Sequence, residues 1–256
     1  MLNYGTNDGP FVSSTKTVYT INIHTTTLLA LLSADSNNHH LVRDYKTLSL
    51  SQNAWKQATS YILSRPMSFK DFLAEAKETT MYWAMHRDSA KLQEYLNATI
   101  PQTQPCEFSL WISPLGHTEQ VHYDSYSNTV YQLSGSKTWR LWPPHAAITP
   151  CSLTSPNPNF SSLDVHDIII KDEVTITVHA GDVLHIPPGW WHSVTGVACG
   201  VDSLVVSANV FSPPPLSSRV SWRLIRLKIA EATDEMMERY RVMTGAEIPV
   251  IDATNL

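Results

Sequence analysis

The chain has 256 residues, which is enough for one well-buried catalytic domain with a small appendage and argues against two full domains. Apolar residues make up 43% and charged residues 16%, a balance typical of a globular chain and not of a disordered one. The formal net charge of -5 gives no general reason to expect a nucleic acid or an anionic membrane as the partner.

No segment has the composition of a membrane anchor or a signal peptide. No apolar run approaches the roughly twenty residues that span a bilayer, and the first residues lack a basic segment followed by an apolar one. We therefore expect a soluble protein of the cytoplasm or the nucleus. Cys106, Cys151 and Cys199 are odd in number and widely spaced, so they indicate reduced thiols and not a disulfide framework or a zinc site.

The first half of the chain is predicted to be mostly helical after an ambiguous opening. Residues 18–24 alternate like a strand, and the run that follows them could continue it or begin a helix. Apolar residues at helical spacing predict helices over residues 51–63 and after two capping serines, Ser68 and Ser89. Between the last two helices, residues 81–84 are predicted to form a short strand.

From Cys106 onward the sequence changes to short, β-rich runs separated by turn residues, which favours a sandwich or a barrel. The turn Gly135-Ser136 predicts a hairpin between the two strands that flank it. The predicted strands cover residues 108–113, 121–124, 128–134, 137–142, 174–179, 183–186 and 204–211.

A long amphipathic helix is predicted after the prolines at 213–215. Apolar side chains recur there every three or four residues between residues 217 and 243, and Gly245 is placed to end the helix. Such a stripe must be buried, either on the domain's own surface or against a second copy, because its repeat is close to the spacing that helix pairs prefer. The sequence leaves both alternatives open, including a homodimer through residues 217–243.

Two segments carry the residues that bear most directly on function. In His122-Tyr123-Asp124, residues two apart on a strand point the same way, so the imidazole and the carboxylate can share a face while Tyr123 points away. The second segment runs from Gly181 through two turns to His192. Two imidazoles and one carboxylate form the ligand set that a non-haem Fe(II) oxygenase places on one face of its metal.

These two segments resemble the JmjC-type cupins. The resemblance is carried by His-Tyr-Asp-Ser-Tyr-Ser-Asn-Thr-Val-Tyr-Gln-Leu-Ser-Gly-Ser-Lys-Thr-Trp-Arg-Leu-Trp-Pro-Pro and, later, by Gly-Asp-Val-Leu-His-Ile-Pro-Pro-Gly-Trp-Trp-His. It is strong from about residue 107 to residue 212 and weak before Met67. The family contains Fe(II)- and 2-oxoglutarate-dependent oxygenases, among them the asparaginyl hydroxylase called factor inhibiting HIF and the tRNA wybutosine hydroxylase. The resemblance implies His122, Asp124 and His192 as the iron ligands.

The resemblance also implies a set of residues for the co-substrate. Lys137 stands where family members have the lysine that neutralises the distal carboxylate of 2-oxoglutarate, and a buried dicarboxylate needs such a fixed cation. Asn128 and Asn209 match asparagines that lie near the co-substrate. Tyr82 resembles a tyrosine that reaches the same carboxylate, with a packed core aromatic as the alternative.

One position departs from the family pattern. Many members carry Ser or Thr three residues before the first ligand, whereas this chain has Glu119 there and Thr118 one place earlier. A carboxylate beside a bound dicarboxylate is repelled. Either a shift of register brings Thr118 to the co-substrate, or Glu119 turns outward towards the substrate, or the co-substrate site is altered.

The resemblance therefore implies a mainly β fold with flanking helices, built on a double-stranded β-helix of the cupin or jelly-roll type. We expect a mostly helical region at residues 1–105 packing on the barrel, a JmjC/cupin catalytic core at 106–212 and a helical extension at 213–256. The weak match before Met67 leaves open whether the N-terminal region is complete.

The implied activity is that of a dioxygenase that uses Fe(II), 2-oxoglutarate and O2 to hydroxylate a C–H bond, with a protein side chain as the first choice of substrate. A small molecule or a modified nucleoside is the alternative, and N-methyl demethylation of the histone type is a second one. A nucleic-acid partner is not favoured. A cupin that serves only as a binding or scaffold module is the non-enzymatic alternative.

Overall fold

In a computed structural model of the chain, the residues described are 9–14, 25–34, 40–44, 63–75, 81–86, 89–100, 104–151, 158–198 and 204–213. The strand predicted at 18–24, nearly all of the helix predicted at 51–63, and the C-terminal helix with its proposed dimer seam lie outside these ranges. Within them, no helix is both long enough and apolar enough to cross a membrane.

The described ranges contain short helices and twelve strands, numbered here in chain order. The helices are α1 (Thr25–Ala34), α2 (Phe69–Glu75) and α3 (Ala90–Thr99), with one turn of 3-10 helix at Val165–Asp167. The first six strands are β1 (Phe11–Ser14), β2 (His40–Asp44), β3 (Leu63–Met67), β4 (Met81–His86), β5 (Ser109–Pro114) and β6 (His122–Tyr123). The others are β7 (Ser127–Ser134), β8 (Ser136–Trp142), β9 (Val174–His179), β10 (Asp182–Ile186), β11 (Trp191–Ala198) and β12 (Leu204–Ser212).

Two of the predicted helices begin at the serines that the sequence indicated. The Ser68 hydroxyl accepts a hydrogen bond from the backbone N–H of Asp71 at 3.1 Å, and the Ser89 hydroxyl accepts one from the N–H of Leu92 at 3.3 Å. Each bond satisfies an N–H that has no partner inside the helix. The ambiguous run that begins at Thr25 is helical and forms α1.

The strands form two antiparallel sheets that face each other. The larger sheet has the order β1-β10-β7-β12-β5-β4-β2-β3, and the smaller has the order β6-β11-β8-β9. An apolar cluster lies between the sheets, because Val130 and Leu184 of the larger sheet pack with Trp139, Leu141 and Val178 of the smaller one. The chain thus has the double-stranded β-helix predicted from the sequence.

The predicted hairpin at Gly135-Ser136 is wrong. β7 pairs with β10 and β12, whereas β8 pairs with β11 and β9, so the turn leads the chain from one sheet to the other. Gly135 has a φ of 69°, a conformation that glycine adopts without a steric penalty. The Gly135-Ser136 dipeptide indicates a tight turn, but it does not determine whether β7 and β8 pair with each other. That depends on which other strands bury them.

Strands from the first 105 residues extend the larger sheet. β1 pairs with β10 and β4 pairs with β5, and β2 and β3 continue the sheet beyond β4. The helices cover the outer face of this sheet, where Leu28, Phe72 and Leu96 pack in one cluster with Leu110 and Ile112. The described part of residues 1–105 therefore contains strands as well as helices.

The smaller sheet is covered on its outer face by the connection between β8 and β9. Tyr123, Trp142 and Trp191 are fully buried there and pack against Ile148 and Ile168 of that connection. The Tyr123 and Trp191 rings meet edge to face with centroids 4.7 Å apart. Since neighbouring residues on a strand point to opposite faces, the residues beside these aromatics point into the space between the sheets.

Candidate metal centre

Backbone pairing joins the two sequence segments that carry the predicted ligands. β6 and β11 are antiparallel neighbours, and His122 lies directly opposite His192 in their register. The turn before β11 also contacts the first segment, because the N–H of Gly189 donates to the backbone oxygen of Asp124 at 2.8 Å. Residues about seventy positions apart in the chain are thereby held side by side.

The three predicted ligands form one cluster. One potential ligand atom from each of His122, Asp124 and His192 lies within 4.8 Å of the others. The Nε2 atom of His192 is 3.6 Å from a carboxylate oxygen of Asp124, and the two imidazole centroids are 4.3 Å apart. The ring of Phe160 stacks on His122 at 4.9 Å and with an interplanar angle of 14°, which restricts the rotation of that imidazole.

Hydrogen bonds to the backbone orient both imidazoles. The Nδ1 atom of His122 is 2.8 Å from the carbonyl oxygen of Gln120, and that of His192 is 3.0 Å from the carbonyl oxygen of Trp190. A carbonyl can only accept, so in each ring Nδ1 carries the proton and the lone pair is on Nε2. Such a bond from the distal ring nitrogen is the usual support of a metal-ligating histidine.

The protonation state of His192 also suits a ligand. Burial, and to a smaller extent the neighbouring His122 imidazole, lower the pKa of His192 to about 4, so its ring is neutral near pH 7. Two neutral imidazoles and one carboxylate fit a divalent transition metal, and on one face of the metal they match the facial set of non-haem Fe(II) oxygenases. The residues present therefore fit the iron that the sequence resemblance implies.

The cluster lies in a cavity of about 180 Å³ between the sheets. Polar residues from both sheets line it, as do aromatic and aliphatic ones. Besides the three clustered residues, the polar lining consists of Glu119, Asn128, Lys137, Asn159, Ser207 and Asn209. The apolar lining consists of Trp111, Trp139, Phe160, Val194 and Phe211.

Among the described residues that line this cavity, Lys137 is the only basic side chain besides the two histidines. It is 5% exposed, and its amine donates a hydrogen bond to the hydroxyl of Ser207 at 2.7 Å. Burial lowers its pKa to about 7, against a smaller opposite effect of the Glu119 carboxylate. A buried amine beside a neutral hydroxyl is well placed to receive an anionic group, because an added negative charge would restore its protonated form.

The two predicted asparagines meet in the cavity wall. The side-chain N–H of Asn209 donates to the side-chain oxygen of Asn128 at 3.1 Å, and both residues are buried. Asn209 and Ser207 lie two apart on β12 and therefore point the same way, into the space between the sheets. Because residues two apart on a strand share a face, Ser207 could have been predicted from the sequence once Asn209 had been placed in the site.

Of the other predicted co-substrate residues, Thr118 does not line the cavity, and the side chain of Tyr82 is not described. Thr118 is exposed, its hydroxyl pairs with that of Thr195 at 2.9 Å, and it is not part of the cavity lining. Tyr82 lies in β4, and its side chain is outside what the structure describes. Its contact with the co-substrate stays a prediction.

Glu119, and not Thr118, reaches the cavity. Its backbone N–H donates to the oxygen of Val194 at 2.8 Å, and its carbonyl accepts from the hydroxyl of Ser193 at 2.5 Å. The residue is 1% exposed, and its carboxylate lies 4.0 Å from the ring of His117. Backbone pairing to β11 thus fixes the register that directs this carboxylate inward.

The tryptophans of the strands that flank the cavity do not all face it. Trp139 lines the cavity, but Trp142 and Trp191 belong to the cluster on the opposite face of the smaller sheet. Trp111 of β5 completes the wall. Sequence reasoning also missed Phe160, which lies in a stretch rich in Ser, Pro and Asn where no sequence periodicity predicts the direction of a side chain.

Two facing antiparallel sheets that enclose a cluster of two histidines and one aspartate are the architecture of a cupin. The cupin-like domain family matches residues 32–215, and the chain belongs to that family.

Two curated relatives match part of the chain. Lysine-specific demethylase JMJ31 of Arabidopsis thaliana is 31% identical over 113 residues, which cover 40% of this chain and 20% of that protein. The tRNA wybutosine-synthesizing protein 4 of Gibberella zeae is 36% identical over 95 residues, which cover 36% of this chain and 9% of that protein. The matches thus span less than a quarter of either relative.

A solved structure of similar fold is that of ycfD from Escherichia coli. It matches with a TM-score of 0.51 and 17% identity, over 95% of this chain and 57% of ycfD. At this identity the match supports the fold assignment.

Proposed function

We propose that this protein is an Fe(II)- and 2-oxoglutarate-dependent dioxygenase that hydroxylates a C–H bond. The convergence of His122, Asp124 and His192 in one cavity, with both Nε2 lone pairs left for a metal, supports this proposal most strongly. Lys137 in the same cavity supplies the cation that a dicarboxylate co-substrate needs. Residues 106–212 form the proposed catalytic core, since they include every described residue that lines the cavity.

Each part of the cavity has a distinct task in the proposed reaction. Iron, when bound with 2-oxoglutarate and O2, supplies the chemistry that couples decarboxylation of the keto acid to hydroxylation of the substrate. The two histidines and Asp124 would hold the metal. Lys137 pairs with the distal carboxylate, while Trp111, Trp139 and Phe160 keep water away from the reacting atoms.

For the substrate we propose a protein side chain. The name of the Arabidopsis relative, a lysine-specific demethylase, supports a protein substrate and keeps N-methyl demethylation as an alternative. The name of the Gibberella relative supports a modified nucleoside as the other alternative. A scaffold without catalysis is disfavoured, because all three ligand residues and the buried lysine are present.

The oxygenase proposal is tested by the optical spectrum of the purified protein. Anaerobic addition of Fe(II) and 2-oxoglutarate should give the weak visible charge-transfer band of a chelated keto acid. His122→Ala should lose the band, whereas His166→Ala, at an exposed histidine of the 3-10 helix, should keep it. A well-folded, metal-loaded wild-type protein without this band would contradict the proposal.

The substrate proposal is tested by mass spectrometry of candidate peptides, nucleosides and small molecules incubated with Fe(II) and O2. Hydroxylation adds the mass of one oxygen atom, and demethylation removes that of one methylene group. Either change should require 2-oxoglutarate and should be absent with His122→Ala. A change confined to nucleosides or small molecules would contradict the choice of a protein substrate.

A further inference from the structure

The charges inside the cavity do not balance once the proposed ligands are added. Among the described residues that line it, the ionisable side chains are His122, His192, Asp124, Lys137 and Glu119. With neutral imidazoles, the charges of a ferrous ion, a dicarboxylate, Asp124 and a protonated Lys137 sum to zero. An ionised Glu119 then adds one negative charge that no cation among the described lining residues compensates, which is costly where the residue is 1% exposed.

Glu119 and Lys137 already interact in the protein without co-substrate. The carboxylate opposes the loss of a proton from Lys137, so the two groups are close enough to feel each other's charge. Both side chains are almost fully buried, and both line the same cavity. A carboxylate that approaches Lys137 from the cavity must therefore share this cation with Glu119, and the two anions repel each other.

Hydrogen bonds also fix the backbone of the segment that carries Glu119. Its backbone N–H and carbonyl are both bonded to β11, through Val194 and Ser193. A titratable neighbour outside the lining is His117, whose ring lies 4.0 Å from the carboxylate. The backbone of Glu119 is therefore fixed beside the cavity, and its side chain is part of the cavity wall.

We propose that Glu119 is a specificity-determining residue that weakens the binding of a distal carboxylate at Lys137. This inference rests on the proposed function. It predicts that the protein takes 2-oxoglutarate with low affinity and discriminates weakly between this dicarboxylate and a keto acid with an uncharged end.

The test compares two keto acids of equal chain length, 2-oxoglutarate and 2-oxopentanoate, which has a methyl group in place of the distal carboxylate. Dissociation constants are measured by calorimetry on protein loaded with Mn(II), without O2, so that binding is observed without turnover. Glu119→Gln keeps the shape of the side chain and removes its charge. It should improve the preference for 2-oxoglutarate over 2-oxopentanoate about tenfold or more, the size expected for removing a like charge in a partly buried site.

Removing the charge of Glu119 also makes it easier for Lys137 to lose its proton, and this effect opposes the improved preference for 2-oxoglutarate. The measurement is therefore made at about pH 6, below the lowered pKa of Lys137, and repeated in a Lys137→Arg background, because a guanidinium keeps its charge without Glu119. Each background gives a pair of proteins, one with Glu119 and one with Glu119→Gln. If the two pairs give different changes in preference, the result of the Lys137→Arg pair is decisive. If the proteins of that pair bind neither keto acid, the result of the Lys137 pair is decisive. Glu94→Gln on the exposed face of α3 is the matched control and should leave the preference unchanged.

The outcomes separate this inference from the proposed function. An unchanged or reduced preference for 2-oxoglutarate in the deciding pair, with unfolding temperature and Mn(II) affinity intact, overturns the role of Glu119 and leaves the oxygenase proposal standing. Failure of the wild-type and Glu119→Gln proteins to bind either keto acid, although Mn(II) binds, overturns both.

Discussion

At the scale of single residues, the cavity depends on polar groups whose burial changes their chemistry. His192 is kept neutral by its burial, and a bond from Nδ1 to the Trp190 carbonyl leaves the lone pair on Nε2, which lies 3.6 Å from Asp124. Burial also favours the neutral form of Lys137, but this side chain must be charged to bind a carboxylate, and a nearby anion restores its charge. His192 is thus suited to bind a metal cation, and Lys137 is suited to bind an anion.

Replacing Lys137 with Met should change how stability depends on pH. Its pKa is about 7 in the folded protein and 10.5 in the unfolded chain, so between these values the unfolded chain binds more protons. The free energy of unfolding contributed by this group therefore rises with pH, by up to about 1.4 kcal/mol per unit. Denaturant unfolding of metal-free protein between about pH 6 and pH 9 should show a wild-type slope above pH 7 that Lys137→Met lacks. Parallel pH profiles for the two proteins would refute the buried-amine assignment.

At the scale of elements, the turn before β11 positions the centre through the backbone. Gly189 has a φ of 77°, and its N–H is bonded to the backbone oxygen of Asp124. Residues 187–189 thereby fix the distance between the segment that carries Asp124 and the strand that carries His192. The sequence indicated a turn here, but not that its glycine holds the other ligand segment.

Gly189→Ala should lower both stability and metal affinity. An L-residue in this left-handed conformation costs about 1–2 kcal/mol, and relief of the strain would disturb the bond to Asp124. Gly116→Ala is a matched control, because Gly116 has a φ of 78° and open space where the new methyl group would lie. Both variants should unfold more easily, but only Gly189→Ala should bind Mn(II) more weakly in calorimetry. Equal Mn(II) affinities in the two variants would show that the turn does not position the centre.

At the scale of the whole molecule, the centre is assembled from both sheets and from distant parts of the chain. The ligands belong to β6, β11 and the segment after β6, while Lys137 on β8 contacts Ser207 on β12 of the other sheet. No local stretch contains the whole site, so folding must precede binding of metal and co-substrate. Any ligand that binds only this folded arrangement will stabilise it by mass action.

Mn(II) should therefore raise the free energy of unfolding of the whole domain. At a concentration one hundred times the dissociation constant the gain is about 2.7 kcal/mol, and Asp124→Asn should lose most of it. In thermal unfolding, 2-oxoglutarate should add a further shift only when Mn(II) is present, since the keto acid is proposed to chelate the metal. An equal shift of the unfolding temperature without Mn(II) would show that the keto acid binds away from the metal.

The sequence determined the class of fold, the caps of α2 and α3, and the pair of segments that forms the cluster. These are local properties, because alternation, capping and metal-ligand residue types can be read within a few positions. The β-helix followed from the family resemblance, and the structure confirmed it.

Only the tertiary structure decided which neighbours those local pieces have. It changed the expected hairpin into a crossing between the sheets, placed Trp191 on the outer face, and brought Glu119 instead of Thr118 into the cavity. Each outcome depends on pairing between residues far apart in the chain. The register of β11 against its partners sets which side chains share the cavity, and no short stretch of sequence encodes that register.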